Sequence, residues 1–168
     1  MFPDTFACGV DIVGPSNLIT LLESIPPYWQ PMLELFTSRV GDFRTAEGRA
    51  FLTKHSPLTY VDNIRSPLLI AQGANDPRVK QAESDQIVRA MHAKNIPVTY
   101  MLYPDEGHGF ARPENNLSFA AVAEAFLASW LGGRCEAMGQ DFHGASMQVP
   151  EGAHLVPGLV EALQTTRN

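Results

Sequence analysis

Residues 98–110 have the sequence VTYMLYPDEGHGF, an apolar run followed by a polar turn in which a histidine stands between two glycines. The run is rich in β-branched and aromatic side chains, and it predicts a short buried strand over residues 98–103. A helical pattern follows, so His108 is expected on a loop between a strand and a helix. Gly107 and Gly109 leave room around the imidazole, which exchanges protons near neutral pH. The stretch therefore indicates a general base, although a surface histidine on a polar turn would have the same local sequence.

A second apolar run ends in a second polar turn, in residues 68–79, LLIAQGANDPRV. Asp76 follows this predicted strand, and the chain between Asp76 and His108 has room for one helix, at about 80–94, and one strand. Such a βαβ unit makes its two strands parallel neighbours, with both side chains at one edge of the sheet. An aspartate that accepts from one imidazole nitrogen fixes the tautomer and leaves the other nitrogen free. Taken alone, Asp76 is also explained as an ordinary turn residue.

These two motifs carry a resemblance to a known family. Residues 73–79, GANDPRV, and 106–110, EGHGF, resemble the acid and histidine motifs of the prolyl oligopeptidase family of serine peptidases. The family consists of α/β-hydrolases with the triad order Ser, Asp, His. Residues 3–10, PDTFACGV, are similar to the strand that follows the helix of the nucleophile. The resemblance covers nearly the whole chain and implies that Asp76 and His108 are two catalytic residues of a triad.

No residue of this chain matches the nucleophile of that family. Residues 14–18, GPSNL, begin like the nucleophile elbow Gly-x-Ser-x-Gly, but Leu18 occupies the last glycine position. Pro15 would restrict the turn further. A helix cap is the better interpretation of Ser16 or Asn17, because apolar residues follow at helical spacing.

The remaining pattern predicts an α/β fold, the C-terminal part of an α/β-hydrolase with about three parallel strands interleaved with helices. We expect residues 1–133 to form the C-terminal part of the catalytic domain and residues 134–168 to form a C-terminal tail. Other predicted elements are a strand at Phe6–Val13, a helix at Thr45–Lys54 with Ala46, Ala50 and Phe51 facing inward, an extended connector at Ser56–Val61, a helix at Leu117–Leu131, a tail strand at Ser146–Val149 and a tail helix at Pro157–Leu163.

The resemblance implies that further strands precede this chain. The missing N-terminal part of the same protein would hold the nucleophile and the oxyanion hole, so the chain alone is expected to be inactive. The strand Phe6–Val13 would then have one unpaired side. We expect the isolated chain to aggregate, to self-associate through this edge strand or to be stable only beside its missing part.

Composition excludes several classes of partner. The net charge of −6 and the lack of a basic cluster argue against nucleic acid and against anionic membrane surfaces. No apolar run approaches the roughly 20 residues that span a bilayer, and the cytoplasm is the default compartment. Cys8 and Cys135 form neither a metal motif nor a disulfide framework. We expect no cofactor and no metal.

Three residues are candidates for the substrate side of the site. The resemblance places the segment with Tyr28 and Trp29 above the sheet, where they either line a pocket or pack as core aromatics. Arg78 either braces its own loop, which we favour, or meets a substrate carboxylate. Three functions remain open: a serine peptidase that acts on short peptides, a related esterase or small-molecule hydrolase, and a non-catalytic interaction module.

Overall fold

The computed structural model describes residues 4–165, which form a mixed four-stranded sheet with the strand order β1-β2-β3-β4. The strands are β1 (Gly9–Ile12), β2 (Leu68–Gly73), β3 (Val98–Tyr103) and β4 (Gln148–Glu151). The helices are α1 (Leu18–Glu23), α2 (Leu33–Arg39), α3 (Ala46–His55), α4 (Gln81–His92), α5 (Pro113–Leu131) and α6 (Leu159–Thr165). Short 3-10 helices cover Pro27–Met32, Pro57–Asn63 and Ala153–Leu155.

Three of the four strands are parallel, as predicted. β1 pairs with β2 and β2 pairs with β3 in parallel, while β4 from the C-terminal tail adds an antiparallel strand beside β3. The strand predicted at 146–149 lies two residues further along. The alternation of side chains in β2 and β3 builds two apolar layers, one on each face of the sheet.

The helices on the two faces of the sheet come from different parts of the chain. Ile70 and Tyr100 pack against Ile87 and Met91 of α4 on one face. The opposite face carries α5 and the C-terminal tail, and its buried residues are Leu69, Ala71, Met101, Tyr103, Val122, Ala125, Phe126, Phe142, Val156, Leu159 and Ala162. The C-terminal tail therefore contributes directly to the apolar core.

Two elements differ from the sequence prediction because apolar character does not show which face is covered. β1 has only four residues, and its apolar side chains Val10 and Ile12 are 37% and 46% exposed. Among residues 4–165, no strand pairs with the outer side of β1. In α3 the inward residue is Leu52, which is fully buried, whereas Ala46, Ala50 and Phe51 are exposed.

The predicted extended connector is a 3-10 helix, Pro57–Asn63. Proline at its first position is already in a helical conformation and lacks the N–H that such a start leaves unpaired. Proline likewise begins α5 at Pro113, four residues earlier than predicted. Gly132 ends α5 with a φ of 76°, as predicted, and Asn95 follows α4 with a φ of 55°.

Candidate active site

The acid loop follows β2 and holds Asp76 in a fixed position. The Asp76 side chain is fully buried, and its Oδ1 accepts hydrogen bonds from the backbone N–H groups of Arg78 at 2.8 Å and Val79 at 3.0 Å. Its Oδ2 lies 2.8 Å from Nδ1 of His108. The two explanations that the sequence left open for Asp76 are therefore compatible, because one oxygen closes the turn and the other contacts the imidazole.

The histidine loop follows β3 and is joined to the acid loop by backbone contacts. The N–H of Ala74 donates to the carbonyl of Tyr103 at 2.9 Å, and the N–H of Asn75 donates to the carbonyl of Glu106 at 2.9 Å. A Cβ atom at Gly73 would lie 2.2 Å from the carbonyl oxygen of Gly107. Only glycine permits this approach, which brings the two loops together at the edge predicted from the sequence.

The imidazole of His108 is oriented for proton transfer. A carboxylate can only accept, so Nδ1 carries the hydrogen in the contact with Asp76, and the neutral ring has its lone pair on Nε2. The side chain is 33% exposed, and among residues 4–165 no hydrogen bond engages Nε2. The geometry allows His108 to accept a proton from a group that approaches from the open side.

Glu106 is a buried carboxylate in the histidine loop that our sequence reasoning did not single out. It accepts from the N–H groups of Ala111 at 2.8 Å and Arg112 at 2.9 Å, and from the side chain of Asn115 at 2.8 Å. Burial raises the pKa of Glu106, but these hydrogen bonds outweigh burial, so the pKa lies below that of an ordinary glutamate. Glu106 lies seven residues before α5 begins, so no local pattern marked it, and only the path of the loop brings its carboxylate to these N–H groups.

Ser16 is a buried structural residue in this fold. Its Oγ donates to the carbonyl of Glu83 at 2.6 Å, and its N–H donates to the Glu83 carboxylate at 3.1 Å. The neighbouring Asn17 caps α1 by accepting from the N–H of Ile19 at 3.0 Å. Of the two candidate caps, Asn17 is thus the one that caps α1. Glu83, which holds Ser16, is a second buried carboxylate that the sequence pattern did not indicate.

The three candidate substrate-side residues lie together. The guanidinium of Arg78 stands 5.8 Å from the ring centroid of Trp29, a cation–π contact. Tyr28 meets Trp29 edge-on, with 6.0 Å between ring centroids, and is 57% exposed. The contact from Arg78 brings the helix Pro27–Met32 against the acid loop, so these side chains border the loop that holds Asp76.

Within residues 4–165, no group of three or more His, Cys, Asp or Glu side chains is placed to hold a metal ion. Over the same residues, none of the helices combines the length and apolar character needed to cross a membrane. Cys8 and Cys135 are free thiols.

Known structures share this fold. A puromycin-hydrolyzing peptidase of Mycobacterium tuberculosis superposes with a TM-score of 0.70 at 26% identity, over 78% of this chain and 19% of that chain. An acylaminoacyl peptidase in complex with Z-Gly-Gly-Phe-chloromethyl ketone superposes with a TM-score of 0.67 at 21% identity, over 80% of this chain and 21% of that chain. Both are peptidases, and the chain has the architecture of the C-terminal part of their α/β-hydrolase domain.

Sequence relatives are closer than these structures. Dipeptidyl aminopeptidase BIII of Pseudoxanthomonas mexicana is 68% identical over 162 residues, which are 96% of this chain and 24% of that protein. Dipeptidyl peptidase family member 6 of Caenorhabditis elegans is 55% identical over 135 residues, 80% of this chain and 18% of that protein. The chain thus spans about a quarter or less of the length of these relatives. The family model described as the prolyl oligopeptidase family matches residues 1–134. The chain belongs to the prolyl oligopeptidase family of serine peptidases.

Proposed function

We propose that this chain is the C-terminal part of the catalytic domain of a serine peptidase that hydrolyses short peptides, with Asp76 and His108 as two of its catalytic residues. The observation that carries the proposal is the 2.8 Å contact between Oδ2 of Asp76 and Nδ1 of His108, at the ends of adjacent parallel strands. The names of the two dipeptidyl peptidase relatives support short peptides as substrates. The assignment of residues 1–133 to the catalytic domain and 134–168 to a C-terminal tail is part of this proposal.

In the proposed mechanism, Nε2 of His108 takes the proton of a serine supplied by the missing N-terminal part. It then returns this proton to the leaving amine. Asp76 keeps the proton of His108 on Nδ1 and stabilises the imidazolium that forms. Its own position is held by the backbone N–H groups on Oδ1, so the pair needs no rearrangement before reaction. The carboxylate and imidazole thus supply the base, and this chain supplies no nucleophile.

Tyr28, Trp29 and Arg78 are proposed to form part of the substrate side. The proposal is supported by the contact of Arg78 in the acid loop with Trp29 and by the exposure of the neighbouring Tyr28, which could meet a bound peptide. Arg78 serves chiefly as a brace in this proposal, because its guanidinium lies over Trp29 and its N–H closes the turn of Asp76.

The test uses the complete peptidase and a dipeptide substrate with a chromogenic leaving group. Asp76→Asn and His108→Gln are each expected to lower kcat by about 10³–10⁴-fold, because either change removes the oriented base. Asp85→Asn is the matched control. Asp85 lies in the same βαβ unit, its carboxylate accepts from the hydroxyl of Tyr100 at 2.9 Å, and an amide oxygen can replace that acceptor. Full activity in Asp76→Asn would overturn the proposal.

The isolated chain provides a second test. It is expected to show no turnover of an activated ester, because both a nucleophile and oxyanion donors are supplied elsewhere. A burst of covalent acyl-enzyme that maps to a serine of this sequence would contradict the assignment of the nucleophile to the missing N-terminal part.

A further inference from the structure

The C-terminal tail reaches the histidine loop through a buried asparagine. Asn115, in the first turn of α5, is fully buried. Its Nδ2 donates to Oε1 of Glu106 at 2.8 Å and to Oδ1 of Asp105 at 3.1 Å, and its Oδ1 accepts from the N–H of Ser146 at 2.9 Å. The Asn115 amide thus donates to two residues of the histidine loop and accepts from one residue of the C-terminal tail.

Further hydrogen bonds join the same two segments. The hydroxyl of Ser146 donates to the carboxylate of Asp105, and Arg112 also donates to that carboxylate. The other terminal nitrogen of Arg112 donates to the carbonyl of Gly144 at 2.8 Å. These bonds lower the pKa of Asp105 to about 2. The bond from Ser146 is the largest cause, Arg112 and Asn115 add to it, and burial acts in the opposite direction.

The two glycines beside His108 contribute no side-chain contacts that would hold the imidazole. A Cβ at Gly107 or at Gly109 would have no heavy atom within 4 Å, so no side chain packs on that side of the loop, although the carbonyl of Gly107 lies close to Gly73. On the N-terminal side, the first residues with anchored side chains are Glu106 and Asp105. Both are bound by Asn115, and the carbonyl of Glu106 accepts from the acid loop. On the other side, Phe110 packs on Tyr103 and Phe119. The placement of the imidazole therefore depends in part on how firmly Asp105 and Glu106 are held.

We propose that Asn115 and Ser146 are positioning residues for His108, and that the C-terminal tail, through residues 144–146, clamps the histidine loop against the start of α5. This inference rests on the proposed catalytic role of His108. The clamp connects the region that the family model matches, residues 1–134, with Gly144 and Ser146, which lie beyond that match. The C-terminal tail thereby acts on the site through Asn115 as well as through its place in the apolar core.

Point substitutions are needed because the C-terminal tail also stabilises the fold. Phe142, Val156 and Leu159 are buried in the core layer against α5, so deletion of the tail would unfold the domain regardless of the clamp. Ser146→Ala removes only a hydroxyl, which donates to Asp105 and also lies 3.3 Å from Oδ1 of Asn115. Asn115→Asp keeps the acceptor for Ser146 but removes both donors and places a third carboxylate beside Asp105 and Glu106.

The experiment measures steady-state kinetics and melting temperature of the complete peptidase. Ser146→Ala is expected to lower kcat about tenfold with little change in KM, because a small misplacement of a catalytic group costs up to about 10²-fold in rate. Asn115→Asp is expected to cost more than Ser146→Ala. Ser146→Thr retains the hydroxyl and is expected to restore most of the rate.

Glu151→Gln is the matched control for a loosened tail. It weakens the ion pair between Glu151 on β4 and His92, with 2.9 Å between Oε2 and Nδ1, without touching the histidine loop. It is expected to change melting temperature about as much as Ser146→Ala while kcat stays at the wild-type value. If Ser146→Ala has the same kcat as Glu151→Gln, the proposed clamp is wrong. This result decides the question whether or not Asn115→Asp folds.

Asp76→Asn in the same assay separates the two proposals. Loss of activity in Asp76→Asn together with wild-type kcat in Ser146→Ala would overturn only the clamp. Retained activity in Asp76→Asn would overturn the catalytic pair itself.

Discussion

The two ends of the parallel part of the sheet differ sharply in how well they are covered. At the β2–β3 end, the acid and histidine loops share backbone hydrogen bonds, and Asp76 and Glu106 are buried with their carboxylates fully engaged. At the β1 end, Val10 and Ile12 are partly exposed, and no strand among the described residues lies beyond them.

This difference shows which part of the site is self-sufficient. The Asp–His pair lies within one βαβ unit, and the contacts that orient it come from residues of this chain. Within residues 4–165, the outer side of β1 pairs with no other strand, and such an edge is a template for another strand. The arrangement fits the proposal that a missing N-terminal part supplies the nucleophile and continues the sheet next to β1.

The largest expected effect is at the close approach of the two loops. Gly73→Ala should destabilise the domain by about 2 kcal/mol or more, because its Cβ would overlap backbone atoms of Glu106 and Gly107 that cannot move independently. Gly107→Ala is the matched control, since its Cβ would enter open space, and it should change stability by less than about 1 kcal/mol. Urea denaturation followed by circular dichroism measures both. Equal effects from the two substitutions would show that the loops are not tightly packed at this end.

A second prediction concerns self-association at the β1 end. The isolated chain is expected to aggregate or to self-associate through this strand, because its open edge and the exposed side chains of Val10 and Ile12 can pair with another strand. Lysines at both Val10 and Ile12 should shift the chain toward monomer, since charged side chains protect edge strands. Size-exclusion chromatography with light scattering at micromolar concentration measures this shift.

The wild-type chain itself can contradict that prediction. A monomer with a cooperative melt, and with slow amide exchange over Gly9–Ile12, would mean that the strand is already covered. The contrast between the two ends of the sheet would then not reflect a missing partner.

The smallest expected effect is the acid sensitivity of the histidine loop. The pKa of Glu106 is lowered in the folded state, so its contribution to stability is complete above the pKa of an unfolded glutamate, about 4.3, and is lost as the pH falls through the lowered value. Asp105, whose pKa is about 2, loses its contribution at still lower pH. Glu106→Gln should cost about 1 kcal/mol at neutral pH and should reduce the slope of stability against pH below about 4.3.

Urea titrations from neutral to acidic pH test this prediction. Asp62→Asn is a suitable control, because that carboxylate is exposed and, among residues 4–165, pairs only with Lys94 at the surface. An unchanged acid slope in Glu106→Gln would mean that its hydrogen bonds to Ala111 and Arg112 do not stabilise the folded state.

The fold could be predicted where neighbouring residues along the chain define an element and its connection. Apolar runs at 68–73 and 98–103, each followed by a polar turn, define two parallel strands, because the chain between them has the length of one crossover helix. The contact between Asp76 and His108 follows from that connection, since both residues stand at the same ends of neighbouring strands. The helix stop at Gly132 was likewise readable from a glycine pair.

Local patterns were less informative where the covering element was distant. Phe51 has the same apolar character as Leu52, yet Leu52 is the residue that α3 buries. The length of β1 was overestimated for the same reason, because a continuous apolar run does not state how many residues find a partner strand.

The sequence by itself determined the βαβ unit and the pairing of Asp76 with His108, because both depend on the order and spacing of residues along one connection. Only the tertiary structure decided the support of that pair. Glu106, Asn115 and Ser146 come from a loop, a helix start and the C-terminal tail, and Ser146 lies 31 residues beyond Asn115. Their hydrogen bonds form because packing of the C-terminal tail on α5 brings Ser146 to Asn115, and the buried polar groups of Asn115 and Glu106 must find partners.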